Sequence, residues 1–189
     1  MTTRSMVLTL LATAALTGCA GGTSGTSGTS GATMMPGGGA MAMAKLEATK
    51  GNAVSGTVMF HQQGEQVMLH ARVEGLKPGQ EHGFHIHEKG DCSSGDGMST
   101  GGHFNPGAKP HGAHDSAEHH AGDLPALKAD AQGRVELKVM LAGIAVGSGA
   151  ADVVGKGLIV HAMPDDYKTQ PTGNSGARIA CGVIARQMP

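Results

Sequence analysis

Apolar and polar residues alternate in short segments from about residue 45 to the end of the chain, and this period of two predicts β-strands. The first two segments, 52–62 and 66–76, flank Gly64 and Glu65, which are typical of a hairpin turn. No stretch carries a helical period over the length that a helix needs. Many short strands indicate an all-β domain, either a sandwich or a barrel. Further strands are predicted at 80–88, 124–129, 134–141, 157–162 and 178–184.

Two long polar segments interrupt the predicted strands. Residues 89–122 and 163–177 are rich in small and polar residues and show no periodicity. A loop of this length inside a compact domain is usually functional. We therefore expect the chemistry of the protein to lie in or beside these two loops.

The N-terminal segment, 1–18, is predicted to be a signal peptide rather than part of the fold. Arg4 supplies positive charge, and the apolar run that follows is too short to span a bilayer. The run ends in a Leu-Thr-Gly-Cys sequence at Cys19 that resembles the bacterial lipobox, which predicts cleavage before Cys19 and acylation of its thiol. The alternative is an ordinary secretory signal with a chance cysteine. Because Ala20 is not the aspartate of inner-membrane retention, we expect a periplasmic protein anchored in the outer membrane.

Residues 19–44 are predicted to form a flexible tether, and 45–189 the folded domain. Gly-Thr-Ser repeats cannot bury enough surface to offset the entropy of ordering them. The methionines of this segment could serve as soft ligands for Cu(I), but low-complexity filler is the favoured interpretation. They are Met34, Met35, Met41 and Met43.

Charge and cysteine content narrow the class of protein further. The net charge of −1 at pH 7 argues against nucleic acid or an anionic membrane surface as a partner. Aromatic residues are scarce, so a core of Val, Ile, Leu, Met and Ala would gain stability from metals and a disulfide.

If Cys19 is acylated, Cys92 and Cys181 remain and are expected to pair in an oxidising compartment. Two buried free thiols are the alternative.

Seven candidate metal ligands lie in the second half of the chain. His85 and His87 flank Ile86 on a predicted strand, and alternate residues of a strand point to the same face. Imidazole suits copper and zinc, and a mixed His/Asp set suits zinc. The pattern therefore predicts a two-metal protein. The seven residues are His85, His87, His103, His111, His120, Asp123 and His161.

Six short segments, in this order, carry a family resemblance. Residues 45–186 resemble the copper/zinc superoxide dismutases, specifically their bacterial periplasmic branch. The resemblance implies a Greek-key β-sandwich or barrel, the immunoglobulin-like superoxide dismutase fold, with two long functional loops. The segments are 83–87, 101–106, 111–112, 120–124, 160–166 and 176–184.

The resemblance also implies the role of each residue. His103 is expected to bridge the two metals, Arg178 to attract the anionic substrate, and Asp165 to link a copper histidine to a zinc histidine. Cys92 and Cys181 match the disulfide of the family. One copper per subunit would be bound by His85, His87, His103 and His161, and one zinc by His103, His111, His120 and Asp123.

The activity that the resemblance implies is dismutation of superoxide to oxygen and hydrogen peroxide, by cyclic reduction and reoxidation of the copper. His103 would take up a proton between the two half-reactions. The biological role would be antioxidant defence in the cell envelope. A non-catalytic copper- or zinc-binding or delivery module on the same fold is the alternative. The zinc ligands argue against a copper-only dismutase, and a homodimer and a monomer both stay open.

Three assignments have close competitors in the sequence. His119 adjoins His120, His114 lies near His111, and Asp166 adjoins Asp165. The Ala-Gly-Asp sequence after His120 and the Lys-Pro sequence before His111 favour the residues chosen. The remaining histidines, His61, His70 and His82, are interpreted as exposed or hydrogen-bonded strand residues.

Overall fold

The computed structural model describes residues 39–188. The predicted signal peptide, Cys19 and most of the predicted tether lie outside the described residues. Within 39–188 the chain forms nine β-strands and one short 3-10 helix, Met98–Thr100, and no α-helix. This confirms the prediction of an all-β domain. None of the described residues forms a helix long and apolar enough to cross a membrane.

The strands form a curled antiparallel sheet of seven strands and a separate pair. The order in the large sheet is β5-β8-β9-β1-β2-β3-β7, and β4 pairs with β6. Because β7 returns to β3, and β8 and β9 return to the other side of β1, the connections are of the Greek-key type. The strands are β1 Met41–Ala48, β2 Ser55–Gln63, β3 Gln66–Glu74, β4 Glu81–His82, β5 Phe84–His87, β6 Leu127–Lys128, β7 Val135–Leu141, β8 Gly157–His161 and β9 Arg178–Gln187.

Strand β1 begins inside the segment that the sequence assigns to the tether. The predicted boundary between 19–44 and the domain is therefore wrong by four residues. Ala42, Ala44 and Leu46 alternate with exposed or half-buried residues and are fully buried. Hydrogen bonds with β2 on one side and β9 on the other satisfy the backbone N–H and C=O groups of this strand. The segment before β1 has a low-complexity composition, which makes this alternation hard to recognise in the sequence.

The other strand boundaries differ from the predictions in two instructive places. The predicted strand 80–88 is divided at Gly83 into β4 and β5, which pair with different partners. The predicted strand 124–129 is reduced to the two residues of β6. In both places backbone bonds with the long loops replace a regular ladder, as Leu124 N–H donating to Phe84 O at 3.2 Å shows.

The core fills the inside of the curled sheet with aliphatic side chains and few aromatic ones. Phe60 and Phe84 are its largest fully buried members. Burial of a side chain of this size stabilises the fold by roughly 1.5–3 kcal/mol. Methionine was expected in this core, but among residues 39–188 the buried hydrophobic set contains none. Other fully buried members are Leu46, Val58, Leu69, Ile86, Leu158 and Ile184.

Strand β5 separates the core from the polar loops. Phe84 and Ile86 belong to the core, while His85 and His87 alternate with them and are also buried. The loop after β5 doubles back along this strand, since Phe104 N–H donates to Ile86 O and Ile86 N–H donates to Gly122 O. Glycine is required at 122, because a Cβ there would collide with Ile86 O. This close approach brings the loop histidines to the histidines of β5.

Cys92 and Cys181 form a disulfide, as predicted. The bond joins the beginning of the first long loop to strand β9, across 89 residues of sequence. Closing a loop of that length lowers the entropy of the unfolded chain and so stabilises the fold. The loop segment that faces Arg178 is thereby attached to the strand that carries Arg178.

Candidate metal centre

The first cluster consists of four buried histidines: His85, His87, His103 and His161. One ring nitrogen from each lies within 4.8 Å of the others. These nitrogens are Nδ1 of His85 and Nε2 of the other three, and none has a hydrogen-bond partner in the protein. A buried polar atom left unsatisfied costs about 1–3 kcal/mol. Four such atoms aimed at one point fit a metal ion bound by nitrogen.

The other nitrogen of each first-cluster ring is held by an acceptor. His87 Nδ1 donates to Gly101 O at 2.8 Å, and His161 Nδ1 donates to Gly176 O at 3.2 Å. Such bonds fix the tautomer and orientation of a metal-binding imidazole. The lone pairs of His87 and His161 therefore point into the cluster, because backbone carbonyls of the two long loops receive the protons on the other ring nitrogens.

The second cluster consists of His103, His111, His120 and Asp123, all buried. Oδ1 of Asp123 lies 2.8, 3.0 and 3.4 Å from Nδ1 of His103, His111 and His120. Tetrahedral zinc with ligands at 2.0–2.1 Å requires donor atoms about 3.3 Å apart. The three nitrogens and one oxygen fit that ion.

Asp123 is oriented by the backbone of its own loop. Its Oδ2 accepts hydrogen bonds from Gly112 N–H at 3.1 Å and His120 N–H at 2.8 Å. These two bonds leave Oδ1 to face the cluster. The spacing from His120 to Asp123 therefore has a structural reason, since the turn that joins them brings the carboxylate to the backbone of His120.

His103 belongs to both clusters. Its Nε2 faces the first cluster and its Nδ1 faces Asp123. The ring packs against that of His85, with centroids 4.0 Å apart. One imidazole with a donor atom in each cluster matches the bridging position predicted for it.

Asp165 links the two clusters through the rings opposite His103. Its Oδ2 accepts from His85 Nε2 at 2.7 Å and its Oδ1 accepts from His111 Nε2 at 2.9 Å. Gly173 makes this possible, because a Cβ there would overlap both the carboxylate and His111. The neighbouring Asp166 instead caps its own loop, accepting from Lys168 N–H and Thr169 N–H.

Burial keeps three of the first-cluster histidines, His87, His103 and His161, neutral. It lowers the pKa of His87 to about 2, that of His161 to about 3 and that of His103 to about 4, and neighbouring imidazoles add repulsion in each case. Neutral imidazole is the form that binds a metal. These rings therefore offer lone pairs across the whole physiological pH range.

The carboxylates of Asp123 and Asp165 place negative charge in and beside the second cluster, whereas the first cluster contains only imidazoles. Burial opposes a charge on His111, but hydrogen bonds with Asp123 and Asp165 outweigh it and raise the pKa of His111 to about 9. Burial also opposes ionisation of the two aspartates, yet their histidine partners hold the pKa of each carboxyl well below its usual range. Two ionised carboxylates in a buried site favour a divalent cation.

Arg178 lies at the start of β9 and is half-buried against the first long loop. Its Nη1 donates to Gly97 O and to Thr100 Oγ1, both at 2.7 Å, and its Nη2 donates to Gly101 O at 2.8 Å. Three of its five N–H groups are used, and two stay available. Gly101 also accepts from His87, so one carbonyl joins Arg178 to the first cluster.

The competing histidines take other positions. His119 Nδ1 donates to His120 O at 2.7 Å, and neither it nor His114 belongs to a cluster. Both line a shallow depression beside Asp123 and Leu124. A larger depression of about 950 Å³ lies on the outer face of the sheet, away from the clusters. We attribute the chemistry to the clusters, because they contain the convergent donor atoms.

Two residues support the site without being predicted as part of it. His82 is buried, and its Nδ1 donates to His161 O at 2.8 Å. Gln170 binds the backbone of His111 at two points, with its Oε1 accepting from His111 N–H at 2.8 Å and its Nε2 donating to His111 O at 2.9 Å. Both contacts join residues far apart in sequence, so no local pattern could have revealed them.

Comparison with known proteins agrees with this geometry. The family model of copper/zinc superoxide dismutase matches residues 54–184. Superoxide dismutase (Cu-Zn) 2 of Aquifex aeolicus is 38% identical over 147 residues, covering 76% of this chain and 85% of the relative. Superoxide dismutase-like protein YojM of Bacillus subtilis is 40% identical over 139 residues, covering 71% of each.

Two solved structures share the fold. The clock protein EA4 superposes with a TM-score of 0.72 at 36% identity, covering 79% of this chain and 96% of that one. A double mutant of a superoxide dismutase-like protein from Bacillus subtilis gives 0.69 at 40% identity, covering 76% and 96%. With the family model matching most of the described residues, the chain belongs to the copper/zinc superoxide dismutase family.

Proposed function

We propose that this protein dismutates superoxide, with copper bound in the first cluster and zinc in the second. The observation that carries the proposal is the shared ring of His103 between two sets of convergent buried donor atoms. A site with only nitrogen donors suits copper, and a site with three imidazoles and one carboxylate suits zinc. Copper, when bound, supplies the one-electron oxidation and reduction that dismutation requires.

Arg178 attracts and orients the substrate in this proposal. Superoxide is a small anion, and a fixed positive charge near the site of reaction raises its rate of encounter. The contacts with Gly97 and Gly101 hold the guanidinium in place, so the residual N–H groups are already oriented when the anion arrives.

His103 holds the proton that the reaction needs. Two superoxide anions and two protons give one oxygen and one hydrogen peroxide, so a proton must be delivered near the first cluster. The Nε2 atom of His103 faces that cluster, and Asp123 holds its Nδ1. The second proton comes from solvent.

The test is superoxide dismutation by the purified full chain loaded with one copper and one zinc. We expect rapid turnover that falls at least 100-fold in His161→Ala, because a first-cluster nitrogen is lost. His119→Ala is the matched control, since that histidine adjoins the site but belongs to neither cluster and hydrogen-bonds to His120 O. Binding of both metals without turnover would contradict the proposal.

A non-catalytic metal-binding module is the second candidate function. One relative is named only superoxide dismutase-like, and one solved structure is named a clock protein. Against this candidate, a metal buffer needs no arginine beside the nitrogen cluster, and this chain has one. The same experiment separates the two, because the module would bind copper and zinc and give no turnover.

The cellular site completes the proposal. The lipobox-like sequence at Cys19 supports an acylated, membrane-anchored protein of the bacterial periplasm that protects the envelope from superoxide. Metabolic labelling with a fatty acid should mark the wild type and not Cys19→Ser. A deletion strain with unchanged sensitivity to external superoxide would contradict the protective role.

A further inference from the structure

The outer face of the large sheet carries two adjacent rows of methionine and histidine. The strand register places Met41 opposite His61, His61 opposite Met68, and Met68 opposite Met140. In the next row Met43 lies opposite Met59, Met59 opposite His70, and His70 opposite Lys138 on β7. Residues opposite each other in an antiparallel sheet point to the same face. We call these seven methionines and histidines the methionine–histidine face.

This composition is unusual for the solvent side of a sheet. The next row along the strands is the ordinary polar one, with Lys45, Thr57, Arg72 and Glu136. Methionine fits irregular gaps in cores, yet none of the methionines in residues 39–188 is in the buried core. Five of the eight in that range are on this face, and the others are Met98, Met163 and Met188.

The centre of the face is a square of two methionines and two histidines on β2 and β3. His61 pairs with Met68, and Met59 pairs with His70, so the two residue types alternate around the square. The Cβ atoms of such pairs lie about 4.5–5.5 Å apart, and residues two apart on one strand about 7 Å. Methionine has three rotatable bonds beyond its backbone, so its sulfur can reach the centre of a square of this size.

Two of the four side chains each make one polar contact with a residue outside the square. His70 Nε2 donates to Glu136 Oε1 at 3.0 Å, which leaves Nδ1 with its lone pair. The sulfur of Met68 accepts a long contact of 3.8 Å from Gln63 Nε2. Met59, His61, Met68 and His70 are all half-buried, so their side chains are partly fixed and still accessible.

We propose that Met59, His61, Met68 and His70 bind one soft monovalent cation, Cu(I). Thioether sulfur is a soft ligand that favours Cu(I) over hard cations such as calcium, and imidazole completes a mixed site. This site is separate from the buried clusters, which contain no sulfur. Met41, Met43 and Met140 lie beside the square in the same two rows. The proposal is independent of the dismutase activity.

The test uses Ag(I), a redox-inert ion with the same ligand preference, and the full chain with carbon-13-labelled methionine methyl groups. On titration we expect the methyl signals of Met59 and Met68 to shift most and to saturate at one ion. Signals of Met98, Met163 and Met188 should not move. Because each signal belongs to one methionine, the readout does not depend on whether the buried clusters hold metal.

Variants then test the ligands with Cu(I) itself, added to protein whose buried clusters already hold copper and zinc, in anaerobic competition with a colorimetric chelator. The Met59→Leu/Met68→Leu pair preserves volume and should weaken the affinity at least tenfold. Met98→Leu/Met163→Leu is the matched control and should bind like the wild type. Equal affinity in both pairs, no bound ion, or Ag(I) shifts confined to Met34 and Met35 would each overturn the proposal.

Discussion

His85 Nε2 donates a hydrogen bond of 2.7 Å to Oδ2 of Asp165, and this buried contact couples the two clusters. The same carboxylate accepts from His111 at 2.9 Å. One aspartate thus orients a histidine of the nitrogen cluster and a histidine of the mixed cluster at once. Such carboxylates fix the tautomer of a ligand and raise its basicity.

Replacement of Asp165 should therefore weaken metal binding without removing a donor atom. In Asp165→Asn one of the two histidines would face an amide NH2 group, so its ring would lose its acceptor. We expect zinc affinity to fall by roughly 10–100-fold, measured by competition with a chelator. Asp166→Asn is the matched control, because that exposed residue bonds only to its own loop. Equal losses in the two variants would contradict the assignment.

The sequence predicted most of the site because its ligands come from short, specific segments. His85 and His87 alternate on a strand, and His120 and Asp123 share one turn. The order of these segments was enough to name both clusters. Their assembly depends on the long loop lying along β5, which the sequence indicated only by the length of that loop.

The parts that the sequence missed depend on contacts between distant segments. Gln170 reaches His111 across 59 residues, and His82 reaches the carbonyl of His161 across 79. The predicted strands do not include β1, whose first residues, Met41 and Met43, belong to a low-complexity segment. In this segment the alternation covers only a few residues, so the low-complexity composition is the stronger signal in the sequence. In the structure, pairing with β9 makes the segment a strand.

Replacement of Arg178 should change the rate of the reaction more than it changes metal binding. We expect Arg178→Ala to lower kcat/KM for superoxide at least tenfold and to weaken its dependence on ionic strength, because a steering charge is lost. Arg178→Lys should keep part of the salt dependence. Arg186→Ala is the matched control, since Arg186 bonds only to Gly147 O on the surface. An unchanged salt dependence in Arg178→Ala would show that the residue is structural.

The disulfide should stabilise the fold and hold the loop beside Arg178. For the 89-residue separation, the chain-entropy model gives about 4–5 kcal/mol. We expect Cys92→Ser/Cys181→Ser to lower the free energy of unfolding by up to that amount, measured in urea. Hydrogen exchange should also rise at the amides of Thr100 and Gly101, which lie between the bond and the first cluster. A loss below about 1 kcal/mol would contradict the first expectation.

The stability of the metal-free protein should have a maximum near pH 6.5. Burial lowers the pKa of His87 to about 2 and that of His161 to about 3, whereas histidine in the unfolded chain titrates near 6.5. Below pH 6.5 the unfolded state binds more protons, so stability falls as the pH falls. Each of these histidines adds a slope that approaches about 1.4 kcal/mol per pH unit.

On the alkaline side the sign is opposite. The pKa of His111 is raised to about 9, so its contribution is fully present below 6.5 and is lost as the pH rises through 9. Urea unfolding in the presence of a strong chelator, at pH 5, 6.5 and 9, measures both sides. Below pH 6.5 we expect His87→Gln to lower the slope of the free energy of unfolding against pH by the contribution of about one proton. Above pH 6.5 the free energy of unfolding should depend on pH as in the wild type. A wild-type acid slope in His87→Gln would show that His87 is not held neutral by the fold.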